Sequence, residues 1–351
     1  MTSPTVAPEV TPAEAPDEQL TCTEIVDVTH DVKTFVFELP AAAALSFHPG
    51  QFLTFRFLLE GERVERCYTI SSPPTRPEQP AITVKRVPGG VVSNWLHDHL
   101  QPGDVLGASG PFGRFSFARH PADKYLFLTA GSGITPAMSM LRTLRETGDP
   151  ADVVFLHSAR TPGDIIFLAE LAALAEESGV SVVILCGRDS PGEQWRGHRG
   201  RLTLPVLVAA APDLAGREIF TCGPPPYMAA VRELLVQAGA EPGRCHEESF
   251  VFGAAAAAIP AQTGTAHRVE FRRSGRVIEC DPGTTVLAAA AGAGLALPSS
   301  CGEGVCGTCK LTLLDGRVDL RHAGGIRPRE IAAGRILACC ATPVEDLTID
   351  A

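Results

Sequence analysis

Cys301, Cys306 and Cys309 stand at the spacing C-x4-C-x2-C, and Cys339 follows at a distance. Four thiolates so arranged suit a cluster of two irons bridged by sulfide, which carries one electron at a time. Wrapping such a cluster needs backbone that accepts positive φ and can aim N–H groups at sulfur, and Gly302, Gly304 and Gly307 meet that need. Structural zinc is the competing use of cysteines. It usually presents two C-x2-4-C pairs, or cysteines with histidines at set spacing, and no second pair of that kind follows here.

The neighbouring segments are those that would position the thiolates. Thr284 to Ala291 reads as a capped apolar helix stopped by Gly292 and Gly294, leading into Leu297-Pro298-Ser299-Ser300-Cys301. This last quarter of the chain resembles the plant-type [2Fe–2S] ferredoxin domain, which implies an α+β β-grasp fold. Leu337-Ala338-Cys339 matches that family's Leu-Ala-Cys ending, so the resemblance makes Cys339 the fourth ligand. Cys340 departs from the family, which often has glutamine there, and is left as a neighbour.

A second constellation is Arg66-Cys67-Tyr68-Thr69-Ile70-Ser71-Ser72, after a probable strand. A cation, a flat aromatic and a small hydroxyl are what a flavin phosphate, its ring and its hydride-accepting edge require. Alone, the tetrapeptide reads as a solvated arginine and a core tyrosine. It is joined by Gly90-Val91-Val92-Ser93-Asn94-Trp95-Leu96, where the N–H groups of a helix start could hold phosphates. Together they resemble the ferredoxin–NADP reductase family. That resemblance implies that Arg66 pairs with a flavin phosphate, Tyr68 packs on the isoalloxazine and Thr69 offers its hydroxyl near N5. Gly90, Val91, Val92 and Ser93 would hold phosphates, with Val84 and Lys85 flanking the dinucleotide. Gly110 to Phe115 resembles the FAD-using branch, so FAD is expected over FMN.

The third constellation is Gly131-Ser132-Gly133-Ile134-Thr135-Pro136, between an apolar strand ending at Ala130 and a helix. A pyrophosphate can lie there against a helix N-terminus, although the third glycine of the full dinucleotide fingerprint is missing. Thr221-Cys222-Gly223-Pro224-Pro225-Pro226-Tyr227-Met228 resembles the reductase family's Cys-Gly-Pro segment beside the nicotinamide. The resemblance makes Cys222, Gly223, Pro224 and Met228 cofactor contacts, and Glu248 and Phe250 residues facing the flavin. Catalytic roles thus fall on Thr69, Cys222, Glu248 and Phe250; Cys222 as a buried filler and Glu247 as a surface acid are the plain alternatives. Ser158 and Arg160 could receive a 2′-phosphate, yet arginine there also suits NADH, which is expected over NADPH.

With 351 residues, 45% of them hydrophobic, the chain can build several cores. Residues 1–19, with Pro4, Pro8, Pro12 and Pro16, read as a disordered tail. Short alternating strands over 20–118 predict an antiparallel flavin barrel, with a helix over Ser93 to Leu100 opened by Ser93. Apolar strands alternating with helices over 119–252 predict a doubly wound α/β nicotinamide domain. Residues 253–266 read as a linker and 267–351 as the ferredoxin domain. A net charge of −10 argues against nucleic acid. The absence of a long apolar run or a signal-like start argues against membrane and for cytoplasm. Eleven cysteines, mostly scattered singly, suit a reducing compartment.

A nicotinamide delivers two electrons as hydride and the cluster accepts one, so the flavin between them is the converter. The domain order resembles phthalate dioxygenase reductase and similar one-chain reductases of Rieske oxygenases. Val84 to Gly90 and His246 to Phe250 resemble most the reductases of glycine betaine or related N-demethylating monooxygenases, and the NADH oxidoreductase of hybrid-cluster protein. The activity implied is NADH-dependent electron transfer to a protein acceptor, the oxygenase component. Alternatives are reduction of hybrid-cluster protein, of a diiron oxygenase or desaturase, or a redox-sensing binding module.

Overall fold

The computed structural model describes residues 18–40, 43–59, 61–190, 194–250, 266–295, 297, 302, 304, 307, 309–322, 325–326 and 328–351. Most of the expected tail and linker lies outside these residues. The first strand, however, begins at Glu18, so the last two residues assigned to the tail are already paired. Contacts divide the chain into two compact units, one of residues 1–111 and 115–250, the other of 112–114 and 251–351.

The first unit opens with a six-stranded sheet: β1 (Glu18–Thr29), β2 (Val32–Glu38), β3 (Phe52–Leu59), β4 (Glu62–Thr69), β5 (Ala81–Lys85) and, after helix α1 (Val91–His99), β6 (Val105–Phe112). Its order is β4-β3-β6-β1-β2-β5. The two end strands meet, because Ile70 bridges to Ile82 and Ser71 N–H donates to Ala81 O at 2.7 Å. That contact closes the expected barrel around buried Leu20, Phe35, Phe55, Ile70, Ile82 and Leu96. Helix α1 starts two residues before the expected Ser93. The Ser93 hydroxyl accepts from Val87 N–H at 3.2 Å and bonds Gly90 O, so Gly90 rather than Ser93 occupies the N-cap.

The same unit continues as β7 (Lys124–Ala130), α2 (Ile134–Glu146), β8 (Asp152–Ala159), α3 (Leu168–Leu174), β9 (Val180–Cys186), β10 (His198–Arg199), α4 (Leu204–Ala210), β11 (Glu218–Cys222), α5 (Pro225–Gln237) and β12 (Cys245–Glu248). These six strands are parallel in the order β10-β9-β8-β7-β11-β12. Buried clusters cover both faces, which is why β7 is apolar along its length. The chain leaves β7 toward β8 and returns on its other side at β11. The reversal between β7 and β11 is the topological switch point, where ligands of such sheets bind.

The second unit holds β13 (His267–Phe271), β14 (Arg276–Cys280), α6 (Val286–Gly292), β15 (Lys310–Asp315), β16 (Val318–Leu320), α7 (Pro328–Ala332), β17 (Arg335–Leu337), β18 (Ala341–Pro343) and β19 (Leu347–Asp350). Its main sheet runs β14-β13-β19-β15-β17, parallel only between β13 and β19, with α6 held by Leu287 N–H to Ala338 O at 2.9 Å. This is the β-grasp arrangement. The Thr285 hydroxyl caps α6 by accepting from Ala288 N–H at 3.3 Å.

Candidate functional site

On the barrel, Thr69 ends β4 almost fully buried, and its hydroxyl oxygen has no hydrogen-bond partner among the described residues. An orphaned polar atom of this kind fits a ligand that completes its bonding. Arg66 and Tyr68 share a face of β4 by the strand period of two. Tyr68 meets Phe55 edge-on at 6.1 Å, and burial pushes its phenol pKa up against the pull of Arg66, so it stays protonated. Arg66 donates to Glu65 O at 2.7 Å.

Val84 is buried on β5, and its carbonyl is bonded to the His97 ring at 2.9 Å, which ties α1 to the barrel. Burial is the largest influence on His97 and lowers its pKa. Lys85 is committed to Asp31, with Nζ 2.7 Å from the carboxylate. Burial would raise the Asp31 pKa, but the bond and charge of Lys85 overcome it and the carboxyl lies below its usual range. At the start of α1 the first intrahelical bond runs from Asn94 N–H to Gly90 O at 3.1 Å. The N–H groups of Val91, Val92 and Ser93 therefore precede the helix ladder, and Gly90 offers no capping side chain. Such a helix start suits a phosphate.

The two nicotinamide segments converge at the switch point. A Cβ on Gly133 would lie 2.4 Å from Cys222 O and 2.7 Å from Gly223 N, so only glycine lets the two loops approach this closely. Gly131 has φ +54° and opens the turn; Ser132 O accepts from the Thr135 hydroxyl at 3.1 Å. Ile134, Thr135 and Pro136 begin α2 and are buried. Cys222 ends β11 opposite Glu248 of β12. Burial, then the Glu248 charge, holds the Cys222 thiol pKa well above its usual value, which makes it a neutral group rather than a thiolate. Phe250 is half-buried against the cluster that contains Cys222 and Phe220.

Ser158 lies one residue before the end of β8, and its hydroxyl is buried beside the buried hydroxyl of Tyr227 at the start of α5. Burial raises the Tyr227 pKa, with the nearby Ser158 hydroxyl opposing the shift. These two neighbouring buried hydroxyls offer polar atoms to a ligand in this crevice. Met228 is buried in α5, and Arg160 lies exposed just beyond β8.

In the second unit, Cys301 and Cys306 lie outside the described residues. Cys309 and Cys339 are both nearly fully buried, with their sulfurs 3.1 Å apart. That separation is well beyond the roughly 2.05 Å of a disulfide. Gly304 N–H donates to Cys339 Sγ at 3.2 Å, while Gly302, Gly304 and Gly307 have φ of +72°, +68° and +79°. Convergent soft sulfurs met by backbone N–H groups suit an iron–sulfur cluster. Cys340 Sγ packs against Gly304, where an added Cβ would lie 2.7 Å from it.

Ser71, Ser72 and Tyr227 stand in the quoted motifs without an assigned role, and His97, Ser139 and Arg142 have none either. The bonds of Ser139 to Ser72, Arg142 to Ser71 and His97 to Val84 join segments separated in sequence. For Ser139 and Arg142 the only sequence signal is a polar row on the otherwise apolar α2.

Comparison with known proteins follows the same division. Residues 19–117 match the Oxidoreductase FAD-binding domain, 127–233 the Oxidoreductase NAD-binding domain, and 269–344 the 2Fe-2S iron-sulfur cluster binding domain. The glycine betaine monooxygenase reductase subunit of Pseudomonas aeruginosa is 46% identical, over 94% of this chain and 94% of that protein. The stachydrine N-demethylase reductase subunit of Rhizobium meliloti is 39% identical over 95% and 96%. The solved structure of phthalate dioxygenase reductase aligns with a TM-score of 0.59 at 27% identity, covering 95% of this chain and 97% of that one. With a switch-point crevice, a closed barrel and a β-grasp unit each matched by its own domain type, the chain belongs to the family of oxidoreductases that join FAD-binding, NAD-binding and [2Fe–2S] domains in the manner of these reductases.

Proposed function

We propose that the chain is the NADH-dependent reductase component of a Rieske-type oxygenase, of the class that demethylates glycine betaine or a similar quaternary ammonium substrate. The observation that carries this reading is the 46% identity to glycine betaine monooxygenase reductase subunits along nearly the whole of both chains. A bound flavin would supply the conversion between a two-electron hydride and single electrons, and the cluster would supply a one-electron carrier.

In this reading Arg66 and the α1 start, Gly90 to Ser93, hold the FAD phosphates, Tyr68 packs on the ring, Val84 and Lys85 flank the dinucleotide and Thr69 offers its hydroxyl to the reacting edge. The Gly131 to Pro136 turn and Gly223, Pro224 and Met228 seat the nicotinamide dinucleotide, with Ser158 and Arg160 toward its adenosine end. Cys222 stays a neutral thiol, and Glu248 and Phe250 exclude water from the hydride path. Cys301, Cys306, Cys309 and Cys339 ligate the cluster.

The test is an anaerobic absorbance titration with NADH, following flavin and cluster bands separately. About three electrons per chain are expected, two on the flavin and one on the cluster. Uptake of two with an unchanged cluster band would remove the cluster from the pathway. The acceptor is checked by coupled turnover with a purified glycine betaine oxygenase component, where failure beside success with a diiron oxygenase would reassign it.

A further inference from the structure

Helix α2 begins at the Gly131 to Gly133 turn, and one of its faces carries polar residues that run from buried Ser139 through half-buried Arg142 to exposed Glu146. Ser139, Arg142 and Glu146 lie at i, i+3 and i+7 along that face. All three reach the segment that continues from Thr69. The Ser139 hydroxyl donates to Ser72 O at 2.8 Å, Arg142 Nη1 donates to Ser71 O at 2.6 Å, and Thr75 and Arg76 both donate to Glu146.

Arg142 is the strongest member of this set. Its Nε and Nη2 form a bidentate pair with Glu170 at 2.6 and 2.5 Å, and its guanidinium lies 4.5 Å from the centre of the Phe167 ring. The pair and the ring hold the guanidinium in one orientation, leaving Nη1 aimed at Ser71 O. Ser71 is fully buried, and its other polar atoms are already used: N–H donates to Ala81 O at 2.7 Å and the hydroxyl bonds Thr83 at 2.9 Å. Its carbonyl thus depends on Arg142. Two residues upstream is Thr69, whose buried hydroxyl has no partner among the described residues.

We infer that Arg142 is a positioning residue for hydride transfer, locking the end of β4 to the helix that starts at the nicotinamide turn and so setting the distance between the two reacting rings. This rests on the proposed roles of Thr69 and of the Gly131 to Pro136 turn. Arg142 touches neither ring. Its effect is on alignment, where a displacement of about 1 Å can cost on the order of a hundredfold in rate.

Arg142→Met keeps the aliphatic stem and removes every polar contact, Arg142→Lys keeps the charge and one donor, and Glu170→Gln keeps Arg142 but weakens its anchor. For each holoenzyme, four quantities are measured: bound FAD per chain, NADH affinity, the limiting anaerobic rate of flavin bleaching, and the long-wavelength absorbance that appears when nicotinamide stacks on flavin. Expected for Arg142→Met are parental FAD content, NADH affinity within about threefold, loss of the stacking absorbance and a limiting rate lower by about tenfold or more. Arg142→Lys and Glu170→Gln should fall between. Parental rate and stacking absorbance in Arg142→Met would overturn the inference. If that variant does not retain FAD, parental values in both Arg142→Lys and Glu170→Gln would overturn it instead. Failure of the underlying reading shows separately, as a parent protein that neither holds FAD nor develops the stacking absorbance with NADH.

Discussion

At the scale of single residues, ionisation separates roles that residue type alone leaves open. Cys222 is buried beside Glu248, and both influences disfavour a thiolate. If it lines the hydride path as proposed, replacing it with alanine should slow flavin reduction by NADH about tenfold or more through lost packing, without changing the shape of the pH profile between about pH 6 and 9. A profile that loses an ionisation in that range would assign the thiol a proton-transfer role. His157 differs. It is fully buried, bonded through Nδ1 to the Thr129 hydroxyl at 2.8 Å, and burial lowers its pKa from 6.5 to about 3. The folded protein keeps it neutral while the unfolded chain protonates, so this stabilising term is complete above about pH 6.5 and is lost as pH falls toward 3. His157→Asn, which keeps a hydrogen-bonding side chain beside Thr129, should lose about 2 kcal/mol less stability than the parent between about pH 7 and 5, by denaturant unfolding. Equal losses would show that His157 is not the titrating group.

At the scale of elements, the parallel sheet is tied at the end opposite its crevice. Arg217 precedes β11 with its side chain only 5% exposed. It donates to Tyr125 O at 3.1 Å and Asp152 O at 3.2 Å and forms ion pairs with Asp152 and Asp213, joining β7, β8 and β11 at their N-terminal ends. The bonds from Arg217 and Lys124 hold the Asp213 carboxyl down at about 2. Arg217→Met would leave those carbonyls without their charged donor, and a loss of about 2–3 kcal/mol is expected in denaturant unfolding. Because the crevice lies at the other end of the strands, flavin reduction by NADH in the folded variant should stay within about twofold of the parent. A larger fall would mean that the two ends of the sheet are coupled.

At the scale of the whole molecule, the negative net charge is unevenly spread. Glu9, Glu14, Asp17 and Glu18 contribute at the N-terminus, whereas residues 267–351 carry Lys and Arg in the same number as Asp and Glu. Among the described residues of that C-terminal part, several of these charges pair locally, as in Arg273 with Asp350, Arg317 with Glu345 and Lys310 with Glu330. A balanced surface of short-range pairs gives little long-range steering. The rate of electron transfer to the oxygenase partner should therefore change by less than about threefold between roughly 0.05 and 0.3 M salt. A steep fall with salt would instead mean a charged docking face. Among the described residues no helix is long and apolar enough to cross a membrane.

The three domain types were legible in the sequence, from Cys301 to Cys309 with Cys339, the Arg66 to Thr69 tetrapeptide and the Gly131 and Cys222 turns, because chemistry of that kind needs fixed residue types at short spacing. Fold class was legible for a related reason: burial on one face or two leaves a period of two or a continuous apolar run. The start of α1 was misplaced because a serine before a helix reads as a cap, whereas Ser93 uses its hydroxyl on Val87. Lys85 reads as an available cation, yet it is held by Asp31, more than fifty residues away along the chain. Such bonds, and those of Arg142 to Ser71 and Glu170, join distant segments and leave no local period or spacing to read. Residue types at short range thus determined the kind of chemistry, and the tertiary structure alone decided which polar side chains are committed to neighbours and which face the crevice.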